Sequence, residues 1–335
     1  MDLPLVLVMG TGSIGGYLGG CLQASGVPVV FVARPRMLEA LRAHGLTLTD
    51  LDGGSHRLAP DRLQLHETIP AASVPSIVLL AVKSGATAEA AAQLAAALPA
   101  GTPVLSLQNG VANVARAQAA APGLRVLAGM VPFNVAELGP GRLHRGTVGA
   151  VAAQDDPATR ALQPLFERAG FALELHADLR PLQWGKLLIN LNNPVNALSG
   201  LPLRAQLLDR GYRQCFAALQ AEALQVLQAA GIVPAQVTPL PPQRLPMLLR
   251  LPTFVFRAVA ARMLRIDAKA RSSMADDLAL GRTTEIDALC GEVLRLAQAH
   301  GMTAPLNARI TALVEAWPQR RRPMSSQELK SALGL

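Results

Sequence analysis

Apolar and polar residues follow two different rhythms along this chain, and the change comes near residue 176. Before it, short, largely apolar runs recur at Leu5–Met9, which is unbroken, and at Val29–Ala33, Ser76–Val82, Pro103–Leu107, Val126–Pro132 and Phe171–Leu175. Length and composition predict a strand buried on both faces at Leu5–Met9, another buried strand at Ser76–Val82, and strands at the rest. Between them, Ile14–Ser25, Arg36–His44, Thr87–Leu98 and Asp156–Ala169 read as helices. Thr47–Leu65 is polar with alternating apolar residues around Gly53-Gly54, which predicts an antiparallel flap or edge hairpin. Arg142–Val151 reads as a hairpin that extends the sheet. Strand alternating with helix in this way predicts an α/β domain with a doubly wound sheet over residues 1–177.

From Leu179 onward the pattern is helical, which predicts an all-helical domain over residues 178–335. Leu182–Leu198, Gln206–Ala230, Asp287–His300 and Pro305–Trp317 are its main segments. Pro194 should kink the first of them, and Gly200–Arg204 is a break. Residues 234–252 hold six prolines, Pro234, Pro239, Pro241, Pro242, Pro246 and Pro252. They predict a stiff, irregular connection, a candidate lid. Arg250, Arg257, Arg262 and Arg265 then interrupt apolar residues, as in an amphipathic helix packed on its own domain.

The first strand runs into Gly10-Thr11-Gly12-Ser13-Ile14-Gly15. In a strand-turn-helix context this spacing is the dinucleotide-binding loop of a Rossmann-type fold. Gly10 permits the sharp turn, Gly12 leaves bare backbone for a pyrophosphate, and Gly15 lets helix and strand pack closely. The second strand ends in Ala33-Arg34, where NAD-specific folds place a carboxylate, and no acid occurs between Asp2 and Glu39. A guanidinium there suits a 2′-phosphate, so the expected cofactor is NADP(H).

Charge and composition narrow the partners. The formal charge is +8, yet lysine occurs only at positions 83, 186, 269 and 330, so arginine supplies the excess. No arginine-rich face is interleaved with aromatics, which argues against nucleic acid. A positive surplus steers anionic substrates. Cys21, Cys215 and Cys290 form neither a disulfide framework nor a metal motif. No apolar span approaches 20 residues, and no basic segment precedes the first apolar run. The expectation is a soluble, cytoplasmic protein without metal or membrane contact, a possible homodimer.

Polar residues recur where strands end: Lys83-Ser84-Gly85 after the third run, and Gln108-Asn109-Gly110 after the fourth. Open α/β sheets bind ligands at those ends, which makes Lys83 and Asn109 candidates for cofactor and substrate contact. In the helical half, Lys186, Asn190 and Asn193 are spaced i, i+4, i+7 among leucines and isoleucine. One helical face thus carries an ammonium and two amides. Desolvation there favours the neutral amine and makes the lysine a better proton donor. Further on, Gly281 can end a helix and Thr283 or Thr284 can cap the next. Glu285 would then lie in a first turn, either as a macrodipole partner or as an acceptor for a substrate hydroxyl, and spacing leaves both open.

Together these motifs resemble the ketopantoate reductase (2-dehydropantoate 2-reductase) family over nearly the whole chain. The resemblance rests on Gly10–Gly15, Ala33-Arg34, Val82-Lys83, Leu107–Gly110, Trp184-Gly-Lys186 with Asn190, and Ser272-Ser273-Met274 through Thr284-Glu285-Ile-Asp287. It implies NADPH held by the glycine loop and Arg34, with Lys83 and Asn109 at the cofactor–substrate junction. It further implies Lys186 as general acid, with Asn190, Ser273 and Glu285 binding a 2-oxo acid. Asn193 falls one residue short of the second asparagine in some relatives, and Cys290 stands where asparagine is common. The resemblance leaves open other 2-oxo or 2-hydroxy acids, and the fold also suits a non-enzymatic NADP(H) sensor, which would not need Lys186 and Glu285.

Overall fold

The computed structural model describes residues 3–71, 73–261, 264, 267 and 270–335. The chain forms two compact units, Met1–Leu179 and Arg180–Leu335.

In the first unit the described strands are β1 (Val6–Met9), β2 (Val29–Val32), β3 (Leu46–Asp50), β4 (Ser55–Leu58), β5 (Gln64–His66) and β6 (Ile77–Leu80). They continue with β7 (Pro103–Ser106), β8 (Arg125–Met130), β9 (Val135–Gly139), β10 (Arg142–Arg145), β11 (Val151–Gln154) and β12 (Leu173–His176). The main sheet has the order β12-β11-β8-β7-β6-β1-β2-β5. Its six strands from β8 to β5 are mutually parallel, while β11 pairs antiparallel with β8. Along β1, Val6 and Val8 enter one core cluster, which includes Leu18 and Leu22 of the helix Ser13–Ala24. Leu7 and Met9 enter the other, with Ala90 and Leu94 of the helix Thr87–Ala97. That two-sided burial is why the strand is apolar at every position. The chain builds outward from β1 to β2, then returns to β6 on its other side, so the order reverses at β1. Ligands bind at such a reversal, outside the carboxyl ends of the strands.

The hairpin expected to extend this sheet does not. It lies at β9 and β10, and with β3 and β4 it makes a separate sheet of order β4-β3-β10-β9. Those strands bury one face only, against the helix Ser13–Ala24. Glycine makes the approach possible: a Cβ on Gly20 would lie 2.5 Å from Leu46 and 2.9 Å from Leu48, and one on Gly16 3.0 Å from Leu143. The helix Asn113–Ala120 was not anticipated from the sequence.

The second unit is helical and centres on Arg210–Ala229. The expected helix from Gln206 divides here, because Asp209 caps the central helix by accepting from Gly211 N at 2.7 Å. The expected helix Leu182–Leu198 is likewise two, Arg180–Asn190 and Asn192–Ser199. Pro194 explains the division, since it has no N–H to donate to Asn190 O and its ring crowds that carbonyl. The break therefore falls before the proline, at Leu191. From the central helix, Glu222 accepts from Leu306 N and Asn307 N, both at 2.8 Å, and so caps the helix Pro305–Glu315 from outside.

The proline-rich stretch is more ordered than expected. It contains the short helix Leu245–Arg250, which buries Leu245, Leu248 and Leu249, and it is followed by the helix Thr253–Val259 with Phe256 buried. Arg262, Arg265 and Lys269 lie outside the described residues. Among the described residues, no helix is long and apolar enough to cross a membrane.

Candidate active site

In the first unit the glycine loop follows β1 at the reversal of strand order. Gly10 N donates to Val32 O at 3.0 Å and Thr11 Oγ1 donates to the same carbonyl at 3.1 Å, which ties the loop to the end of β2. Gly10 has φ +101°, and a Cβ there would sit 2.6 Å from Val82 N. A Cβ on Gly15 would overlap Gly10 O. Around Gly12, by contrast, a Cβ would meet nothing within 4 Å. Gly12 is the N-cap of the helix Ser13–Ala24 and makes no side-chain capping hydrogen bond to its first turn. Two glycines are enforced by packing and one lies over a bare cradle at a positive helix end, which fits a pyrophosphate. Ser13 and Ile14, both half-buried, begin that helix.

Arg34 is exposed just past β2, at the N-cap position of the helix Pro35–His44. Lys83 is exposed past the end of β6, and Asn109 is half-buried past the end of β7. The loops carrying them are joined by buried polar side chains: Ser84 and Gln108, noted at the strand ends but given no role, and Thr87 and Asn113, which sequence reasoning missed. Their contacts span some twenty residues or more, so nothing in the local pattern marks them.

In the second unit Lys186 sits mid-helix, half-buried, beside the buried Trp184, Leu187 and Leu188. Burial pushes its ammonium down to about 8, opposed by the Glu285 carboxylate, which stabilises the charged form. The structure thus brings Lys186 and Glu285 together across some hundred residues of sequence. Asn190 ends the lysine's helix and Asn193 lies in the next one, past the break. Gly185 makes room for the proline-rich stretch: a Cβ there would overlap Ala235 O, and Ala235 N donates to Pro181 O at 2.8 Å.

Glu285 occupies the N-cap of the helix Ile286–Ala299 without a side-chain capping hydrogen bond. The expected Thr283 or Thr284 cap is therefore not formed. Gly281 does follow a helix end, at φ +63° past Ser273–Ala279. Ser273 is exposed at the start of that helix, and its buried neighbour Ser272 makes the contacts. Ser272 N donates to Asn196 Oδ1 at 2.9 Å, and Ser272 Oγ to Asn193 O at 3.3 Å. Asn193 and Ser273 are thereby held on neighbouring segments by Asn196, which the sequence did not single out, and by Ser272, which it gave only as part of a motif.

A dinucleotide-type loop at a strand reversal, joined in one chain to a helical unit with a desolvated lysine, defines a two-domain oxidoreductase. The sequence matches the family model for ketopantoate reductase PanE/ApbA over residues 6–157 and that for the family's C-terminal region over residues 178–317. The chain belongs to the ketopantoate reductase family, oxidoreductases acting on a CH–OH/C=O couple. It is 28% identical to a 2-dehydropantoate 2-reductase of Mesorhizobium japonicum, covering 92% of this chain and 96% of that protein. A 2-dehydropantoate 2-reductase of Halobacterium salinarum is also 28% identical, over 92% of this chain and 97% of its own. A PanE/ApbA family ketopantoate reductase crystal structure from Ralstonia eutropha matches with a TM-score of 0.79 at 28% identity, covering 95% of this chain and 99% of that one.

Proposed function

We propose that this protein reduces a 2-oxo acid with NADPH, with 2-dehydropantoate as the first substrate to test and Lys186 as the general acid. The observation that carries the reading is Lys186 itself: a half-buried, desolvated ammonium, lowered to about 8 and set against Glu285, in a chain of this family. The bare cradle at Gly12 and the exposed Arg34 would hold the pyrophosphate and 2′-phosphate of the cofactor. When bound, the cofactor supplies the hydride. Lys186 stabilises the negative charge that develops on the ketone oxygen and gives it a proton. Asn190, Asn193 and Ser273 offer amides and a hydroxyl to the acid's polar groups, and Lys83 and Asn109 serve the junction of cofactor and substrate. The test is NADPH oxidation by purified protein against a panel of 2-oxo acids including 2-dehydropantoate. If none accelerates oxidation over the blank, the reading fails.

Arg34 makes the cofactor testable on its own. A charge-assisted contact to a 2′-phosphate should favour NADPH over NADH by about 10- to 100-fold. Arg34→Ala should abolish most of that preference in binding titrations. Equal affinity of the native protein for both cofactors would refute the NADP(H) assignment.

Glu285 has two roles under this reading. As acceptor for a substrate hydroxyl, its replacement by alanine should raise KM strongly for hydroxylated 2-oxo acids and little for analogues without the hydroxyl. As the charge that raises the Lys186 pKa, its loss should move the alkaline limit of kcat to lower pH. An equal KM loss for both substrates, with an unmoved pH profile, would reduce Glu285 to a helix-end residue.

A further inference from the structure

The buried polar groups between β6 and β7 form one chain of hydrogen bonds that runs in a single direction. Ser106 Oγ donates to Gln108 Oε1 at 3.0 Å. Gln108 Nε2 uses its two hydrogens on Val82 O at 2.9 Å and Thr87 Oγ1 at 2.7 Å. Thr87 Oγ1 donates to Asn113 Oδ1 at 3.0 Å, with Ser84 O a second acceptor at 2.9 Å. Asn113 Nδ2 then donates to Ser84 Oγ at 3.2 Å and to Asn109 O at 2.5 Å. Ser84 Oγ closes the chain on Asn109 O at 3.1 Å. All five side chains are buried, Thr87 to 1% exposure.

What the chain grips gives it a purpose. It ends on the carbonyls of Val82, which precedes Lys83, and of Asn109 itself. Two strand-end loops are thereby fixed to each other through their own side chains and through Thr87 and Asn113, which begin the helices Thr87–Ala97 and Asn113–Ala120. Strand ends in an open sheet need no such link, since β6 and β7 are already paired by their backbones through Leu80 and Ser106. A satisfied, directional network in a low-dielectric setting is rigid, and it loses much when one member is removed.

We propose that Thr87 and Asn113 are positioning residues that hold Lys83 and Asn109 in the geometry the reaction requires. This rests on the reading of Lys83 and Asn109 as cofactor and substrate contacts. Thr87 is the sensitive link, because it both accepts from Gln108 and donates to Asn113. Valine keeps its shape but removes both bonds, whereas serine keeps the hydroxyl.

The experiment compares native protein, Thr87→Val and Thr87→Ser for thermal midpoint, NADPH affinity, kcat and KM. Thr87→Val should fold but lower kcat on the best 2-oxo acid by about 10-fold or more, since small misplacements of reacting groups are costly. Thr87→Ser should return to within about 3-fold of native, because it restores both bonds. Native kcat and KM in Thr87→Val, or equal damage in Thr87→Ser, overturns the proposal. Asn113→Leu, which removes the next link, guards against a folding failure of the valine variant and should give the same kinetic loss. If the native protein reduces no 2-oxo acid, the catalytic reading falls separately. NADPH titration then decides the clamp: Thr87→Val should bind at least about 3-fold more weakly with serine rescuing, by the loss of Lys83 alignment. Native affinity in Thr87→Val, or a native protein that does not bind NADPH, overturns it.

Discussion

Lys186→Ala is expected to lower kcat by about 10²–10⁴, the range for removing a general acid that also stabilises the developing alkoxide. NADPH affinity should change little, because the glycine loop belongs to the other unit. Loss of kcat with unchanged cofactor binding is the signature of an interaction made in the transition state. Arginine should rescue poorly, since it keeps the charge but does not give up a proton. Near-native kcat in Lys186→Ala on the best substrate would end the mechanism.

The same lysine sets a pH dependence with a definite sign. Its pKa is pushed from the ordinary 10.5 to about 8, by burial first and against the pull of Glu285. Reduction needs the ammonium, so kcat should fall as pH rises through about 8. Stability moves the other way. Between about 8 and 10.5 the unfolded chain binds this proton more tightly than the folded one, so the lysine's contribution to stability improves with rising pH. Below that window the folded state carries the full cost of a buried charge. Lys186→Met should therefore raise the thermal midpoint at pH 7 while lowering kcat as Lys186→Ala does, with the gain shrinking as pH rises from about 8 towards 10.5. A residue that costs stability is kept for chemistry.

The parts of this molecule that were legible in the sequence are those whose cause is local. Gly10, Gly12 and Gly15 could be read because their spacing follows an apolar strand directly, and each role depends on backbone within reach. The doubly wound pattern was legible because β1, β2, β6 and β7 bury both faces and so are apolar throughout except for Ser106 at the end of β7. The antiparallel pairing of β3 with β4 was legible as the hairpin in Thr47–Leu65, but the joining of β3 to β10 was not, because those two strands pair at a separation of 95 residues, as in Thr49 Oγ1 to His144 Nδ1. Pro194 announced a disturbance, but the break at Leu191 follows from the carbonyl four residues before it. Asn193 therefore leaves the helix that carries Lys186. The partnership of Lys186 with Glu285, and the clamp through Thr87, are tertiary contacts without local sign. Lysine rarity pointed to the first of these; nothing pointed to the second.

Arg213→Ala is expected to destabilise the helical unit by about 3–5 kcal/mol, as a cavity and several unsatisfied carbonyls together would. Nothing in the sequence marks this arginine among many, yet its side chain is fully buried. Its guanidinium donates to Leu207 O at 2.9 Å, Leu249 O at 3.0 Å and Leu251 O at 2.9 Å, and lies 4.2 Å from the Phe256 ring centroid. Leu207 belongs to the helix before the central one, and Leu249 and Leu251 flank the end of Leu245–Arg250. Short helices of this length are unstable alone and end in carbonyls without partners. Arg213 satisfies three of them at once, which only a planar fork with five donors can do. Burial lowers its pKa from the ordinary value, with Asp209 opposing, but an arginine remains charged. Its loss should thus release the segment from Leu245 to Val259 rather than melt one bond. Limited proteolysis should cut there in Arg213→Ala and not in native protein, and urea titration should show the transition of this unit moved while that of the first unit stays. Arg213→Lys, with one compact donor group, should fall between the two. An unmoved transition and an uncut segment in Arg213→Ala would show that apolar packing of Leu245, Leu248, Leu249 and Phe256 suffices without the fork.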